Sequence, residues 1–238
     1  MRDNSQRAQL AVYLLWVMLG LEILTILSGY MQYRLLTKLS YDEYVSDAAL
    51  NFNDTREMIV GILYTLTYIV SIVMFIRWFR RAYYNLHQKV AYLDFDEGWA
   101  AGSWFVPFLN LYRPFSIMRE LYNETSTILK RNLDGYQRKS TMIVGIWWTV
   151  WIISNIIDNI IFRSTFSLDV STIDELMTMT TSGIFSAVLG IPTALLAIKV
   201  VKDYSLMEDK LYALETEGTA NRFDDLAGYD DILDAPID

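Results

Sequence analysis

Cysteine is absent from the 238-residue chain, histidine occurs once, at His87, and there are four prolines. Without cysteine there is neither a disulfide framework nor a thiolate metal site. A single imidazole excludes a multi-histidine metal centre and bis-histidine haem within one chain. No nucleophile–base pair, phosphate-cradling glycine loop or metal constellation stands out. The expectation is therefore a protein with no catalytic residue, no metal and no cofactor. Positive charge is scarce at the C-terminal end, where residues 203–238 hold 11 acids and 2 bases within a total of −8. Residues 1–202 are near neutral, so the low pI belongs to the tail, and no nucleic-acid partner is expected.

What the chain has in abundance is apolar sequence, 53% of it, gathered into long runs. Ala8–Tyr30 is apolar except for Gln9, Glu22, Thr25 and Ser28. It is longer than the core of a signal peptide and lacks a small-residue cleavage site. Glu57–Ile76, Ser140–Phe162 and Thr181–Val201 follow, each close to the roughly 20 residues that cross a bilayer as a helix. The fold expected is an all-α membrane protein with four transmembrane helices, over about 8–30, 57–76, 140–162 and 181–201. Met31–Arg56 is polar, and Ser40-Tyr-Asp-Glu43 resembles a capping box opening a short outer helix. After Lys199 and Lys202, the spacing of Tyr204, Met207, Leu211 and Leu214 predicts a helical extension over 203–218. Residues 219–238 read as an acidic tail.

Between spans two and three lies a different element. No charge falls between Glu97 and Arg113. As a helix those roughly 15 residues would reach about 22 Å, short of the ~30 Å hydrocarbon core. Pro107 and Pro114 remove backbone donors within and just after it. The stretch is predicted to be a tryptophan-containing re-entrant or interfacial element over 98–129, with 114–129 a helix presenting Phe115, Met118, Leu121, Tyr122, Thr125 and Leu129 on one face.

This region carries a resemblance. Arg77-Trp-Phe-Arg-Arg-Ala-Tyr-Tyr-Asn-Leu86 is followed by Gly98-Trp-Ala-Ala-Gly-Ser-Trp-Phe-Val-Pro-Phe-Leu-Asn-Leu-Tyr-Arg-Pro114, and then by Trp147-Trp148. Together they resemble the bacterial domain-of-unknown-function family 4328, over about residues 57–200. The resemblance implies a multi-span bacterial membrane protein and brings no reaction, ligand or catalytic residue.

Lysine and arginine counts set the expected orientation. The N-terminus, residues 77–139 and the region from Lys199 hold 2, 10 and 4; residues 31–56 and 163–180 hold 3 and 1. Both termini and the central loop are expected in the cytoplasm, and the protein in the bacterial inner membrane.

Glu22 and Asp158 sit within spans, in the outer half. They read either as a proton- or cation-handling pair with a partner such as Arg34 or Arg163, or as hydrogen-bonding and hydrated packing groups. Asn155 and Asn159 share a helix face with Asp158, the pattern of interhelical bonding. Ser182, Ser186, Gly190 and Ala194 form a small-residue packing face. Trp99, Trp104 and Pro107 mark the wedge, with Arg113, Arg77, Arg80 and Arg81 beside it as lipid or partner contacts. Asp94, Asp96 and Glu97 are expected to cap a helix ahead of Gly98. In the tail, Phe223, Leu226, Tyr229 and Ile232 repeat an aromatic–acid–aliphatic unit fit for docking. The partners expected are membrane lipids and a protein of a membrane complex or a second copy. The function expected is a non-catalytic membrane subunit or scaffold, with a small transporter or a lipid-binding protein as alternatives.

Overall fold

A computed structural model of the chain describes the backbone of residues 1–166 and 172–233 and the side chains of 1–164 and 172–216. The described residues are helical or turn, with no strand. Six helices follow in order: α1 (Ser5–Ser40), α2 (Asp47–His87), the single turn α3 (Trp99–Gly102), α4 (Arg113–Asn132), α5 (Met142–Phe166) and α6 (Ile173–Leu233). α1, α2, α5 and α6 are long and apolar enough to cross a membrane. They also overrun it. At 1.5 Å per residue, the 36 residues of α1 and the 41 of α2 reach about 54 and 62 Å.

Overrunning changes the connections. α1 continues ten residues past Tyr30 and ends at Ser40, so Ser40 closes one helix instead of capping the next. The cap of α2 is Ser46, whose hydroxyl accepts from the Ala49 amide. Asp42, at φ 56°, makes the reversal between them, a conformation Asp tolerates better than most residues.

In the bundle α2 packs on α1, α1 on α6 and α6 on α5. α2 and α5 make at most marginal direct contact, so the spans form an open row. Gly29 lets α1 approach α6 closely, since a Cβ there would sit 2.8 Å from Ile184 Cγ1. Both connections between long helices, α1 to α2 and α5 to α6, lie at what we call the far end. The N-terminus, the C-terminal part of α2, α4 and the start of α5 lie at the near end.

The core is concentrated at the near end. Trp78, Phe79, Tyr83 and Leu86 of α2, Ile117, Met118, Leu121, Tyr122 and Leu129 of α4, Val144 of α5, and Val200, Tyr204, Met207 and Leu211 of α6 are all buried. α4 thus presents nearly the face its periodicity implies, packing it against α2, α5 and α6 while Arg119, Asn123 and Lys130 on its other side stay exposed. Arg113 and Pro114 open it, proline being tolerated in the first turn because that amide has no helical acceptor.

Candidate functional site

Two carboxylates lie within the spans, and the structure brings them to the same helix. Glu22 is only 5% exposed. Its Oε1 accepts a hydrogen bond from the Tyr64 hydroxyl of α2, 2.8 Å away. Its Oε2 is buried without a partner. On the other side the carboxylate presses against Gly190, where a Cβ would overlap it. Asp158 of α5 accepts from the Ser186 hydroxyl at 2.5 Å. Ser186 and Gly190 are four residues apart, hence on one face of α6. The acids therefore address successive turns of α6 from opposite sides and lie within electrostatic reach of each other. The small-residue face of α6 thus meets the Glu22 carboxylate at Gly190 and the Asp158 carboxylate at Ser186.

Of the two readings, the hydrogen-bonding one matches the contacts seen: Tyr64 of α2 donates to Glu22, and Ser186 of α6 donates to Asp158. The physical reason is register: Tyr64 is the residue of α2 that faces Glu22, while Arg56 engages a level nearer the far end. There Arg56 donates to Ser28 Oγ at 2.9 Å and Asn53 Oδ1 at 2.7 Å, and Ser28 donates to Glu57 at 2.6 Å. Tyr68 stacks on Tyr64 with centroids 6.3 Å apart. A polar ladder therefore descends from the far end along the α1–α2 side to Glu22.

Asn155 donates to the Trp151 carbonyl of its own helix, and both Asn155 and Asn159 are exposed. Besides Ser186 and Asp158, α5 and α6 are bonded through Ser154 and Thr193, 3.1 Å apart. Asn155 and Asn159 instead line a groove of about 300 Å³ with Asn110, Leu111 and Trp151.

The wedge spans the space that α2 and α5 leave. Trp104 meets Phe75 and Phe79 of α2 edge-on, at 5.7 and 6.1 Å, and Trp148 and Trp151 of α5, both at 5.9 Å. The Trp148 indole N–H donates to the Leu111 carbonyl at 2.9 Å. Phe105, Val106, Pro107 and Phe108 then project as an apolar tip, Phe105 73% and Phe108 81% exposed. Phe108 takes a left-handed backbone, φ 65°, at a cost of about 1–2 kcal/mol. Arg113 does not point away from the wedge: its guanidinium lies 4.1 Å over the Trp99 ring and 5.3 Å from Phe95. Arg80 pairs with Glu97 at 3.5 Å, and Arg77 is exposed. The expected acidic cap ahead of α3 is absent: Gly98 is the N-cap and makes no side-chain bond.

A family model described as Domain of unknown function (DUF4328) matches residues 41–205. The chain belongs to the DUF4328 family. No curated protein and no solved structure matches it. The DUF4328 region contains the wedge, Tyr64, Asp158 and Gly190, and leaves Glu22 on α1 outside. Within the pair, one acid thus belongs to the family region and the other is supplied by the preceding helix.

A second buried carboxylate also lies outside the DUF4328 region. Glu208 of α6 accepts from Asn4 at 2.9 Å and from Asn85 at 2.6 Å. Asn85 in turn grips the Arg2 backbone through both amide atoms, at 2.9 and 2.8 Å. The Met1 amine and Lys89 both bind Glu215, at 2.7 and 2.9 Å. Burial pushes the Glu208 carboxyl up to about 7, against the two amide hydrogen bonds, which pull it down. The sequence held a signal for this site: Glu208 is four residues from Tyr204, on the apolar stripe of the helical extension. The side chains of Phe223, Leu226, Tyr229 and Ile232 lie outside the described residues.

Proposed function

We propose that this DUF4328 protein is a non-catalytic membrane subunit or scaffold that receives a span of a partner protein, or of a second copy, between α2 and α5. The observation that carries this is the open row of helices, in which α2 and α5 are joined at the near end by the wedge, α4 and the Phe75–Trp147 ring contact, and come together nowhere beyond it. In hydrocarbon a gap edged by the half-buried Tyr64 and Asp158, with the buried Glu22 carboxylate behind Tyr64, leaves polar groups partly open to lipid, which is costly. A span bearing a hydrogen-bond donor or a cation would satisfy them. In this reading the protein sits in a bacterial inner membrane with the near end and both termini in the cytoplasm, as the lysine and arginine distribution supports. The apolar tip Phe105–Phe108 enters the adjacent leaflet, and the acidic tail docks a second contact in the cytoplasm. The test is photo-crosslinking from a probe at Leu63 or Ile157, followed by gentle-detergent purification. A crosslinked membrane partner or dimer, lost in the Glu22→Gln/Asp158→Asn variant, supports the reading. A probe that labels lipid alone in both overturns it.

A second reading, a small cation-coupled transporter, is favoured by one feature: the Glu22 Oε2 buried without a partner. It requires a proton or sodium flux in liposomes that Glu22→Gln abolishes. Purified protein that supports no flux rejects it.

A further inference from the structure

The seam between α1 and α2 carries an unbalanced group of guanidiniums at the near end. Arg2 and Arg81 share one aromatic ring, their guanidinium carbons 5.0 and 5.3 Å from the Tyr84 centroid. Burial, and then the like charges of Arg7 and Arg2, hold Arg81 below the ordinary arginine range. Two carboxylates in reach, Glu97 near Arg81 and Asp3 near Arg7, offset the arginines only in part. Glu97 is paired with Arg80, and an Asp3 oxygen accepts from the Ser5 amide. Guanidiniums held this close repel one another unless an anion lies between them.

What lies toward the far end along the same two helices decides which anion. On α1, Leu10 and Tyr13 are exposed, three and six residues beyond Arg7. On α2, Val70 and Val73 are exposed, and Val73, Arg77 and Arg81 recur at four-residue spacing on one side. The surface is thus cationic at the level where the apolar runs end and apolar directly beyond it. That is the outline of a lipid with a charged phosphate and acyl chains, not of a soluble anion. Basic groups between spans at the membrane boundary bind such headgroups.

We propose that Arg2, Arg7 and Arg81 form a site for the phosphate of an anionic phospholipid, whose chains lie along the α1–α2 seam. The site is independent of the gap between α2 and α5 and of the function assigned to it. The experiment is native mass spectrometry of the full chain in neutral detergent. Phosphatidylglycerol and phosphatidylcholine of equal chain length are added in turn, with inorganic phosphate as competitor. Wild type should retain phosphatidylglycerol in preference to phosphatidylcholine. Arg7→Ala/Arg81→Ala should weaken that retention by roughly thirtyfold, while Arg131→Ala at the end of α4 leaves it unchanged. Arg7→Lys/Arg81→Lys should recover much of the preference, which a folding defect would not do. Equal retention of the two lipids, or an undiminished preference in the double alanine variant, overturns the proposal. Displacement by inorganic phosphate at equal concentration also overturns it, because the ligand would then be a free phosphoryl anion.

Discussion

The near and far ends of the bundle are built differently from the same helices. At the near end four long helices and α4 bury a continuous core of aromatic and aliphatic side chains, closed by rings that bridge α2 and α5. Toward the far end α2 keeps one neighbour, α1, and its Ile59, Ile62, Leu63, Leu66 and Ile69 are exposed. Water explains the contrast. Outside the membrane, apolar surface must be buried within the protein at about 25 cal/mol per Å². Within it, lipid tails are as apolar as leucine, and helices associate only through close packing and polar contacts. Gly29, Gly190, Ser154 and Ser186 are the residues that supply those contacts. The near end is therefore where most of the buried core resides, and toward the far end the apolar face of α2 is left uncovered by the chain's own helices.

The largest effect that would break this comparison is at Trp104. Trp104→Ala removes the indole that bridges α2 and α5, leaving the direct Phe75–Trp147 contact, and is expected to cost about 3 kcal/mol, seen as a lowered melting temperature in detergent. Spin labels on α2 and α5 should move apart in the same variant. An unchanged distance would mean that the wedge does not hold the row together.

Next in size is the pH response of the near end. The Glu208 carboxyl is raised from 4.5 to about 7 in the docked state, so that state binds its proton more tightly than the open one. Docking of residues 1–4 is therefore strongest below pH 4.5 and weakens as pH rises to about 7, by up to about 3 kcal/mol. Glu215 acts with opposite sign. The Met1 amine and Lys89 lower its pKa, so its contribution is lost as pH falls below 4.5. Hydrogen exchange of the first helical turn of α1 measured against pH reads the balance, and Glu208→Gln should flatten its upper limb.

Gly190→Ala tests the far end. The new methyl collides with the Glu22 carboxylate, and overpacking of this kind costs about 1–3 kcal/mol. Adding Glu22→Ala should restore most of the loss. A double variant as unstable as the single one would show that the two residues do not touch. The smallest effect is expected at Arg80, whose pairing with Glu97 is largely exposed. Arg80→Ala should change stability by less than about 1 kcal/mol, and a larger loss would extend the core beyond the rings described.

The four long apolar helices were legible because long apolar runs have no other stable use, and Pro107 and Pro114 marked a stretch that forms only the short α3 and turns ahead of α4. The face of α4 followed from the spacing of Met118, Leu121, Tyr122, Thr125 and Leu129. What sequence could not supply was register between helices. That Glu22 meets Tyr64, and that Asp158 meets Ser186 one turn from Gly190, depends on how far each helix slides along its neighbour. Glu208 was overlooked because a glutamate in an acidic segment reads as solvated. Only the docking of Asn4 and Asn85 makes it a buried group.

α6 runs as one helix through Pro192, which deletes a rung of its hydrogen-bond ladder without ending it. Gly190 and Glu208, 18 residues and about 27 Å apart, are thus two stations on a single stiff rod. A partner that pushed Glu22 off Gly190 would shift or rotate that rod, and the same displacement would arrive at the Asn4–Asn85 clasp. A displacement at Gly190 would then be read out mechanically at the near end.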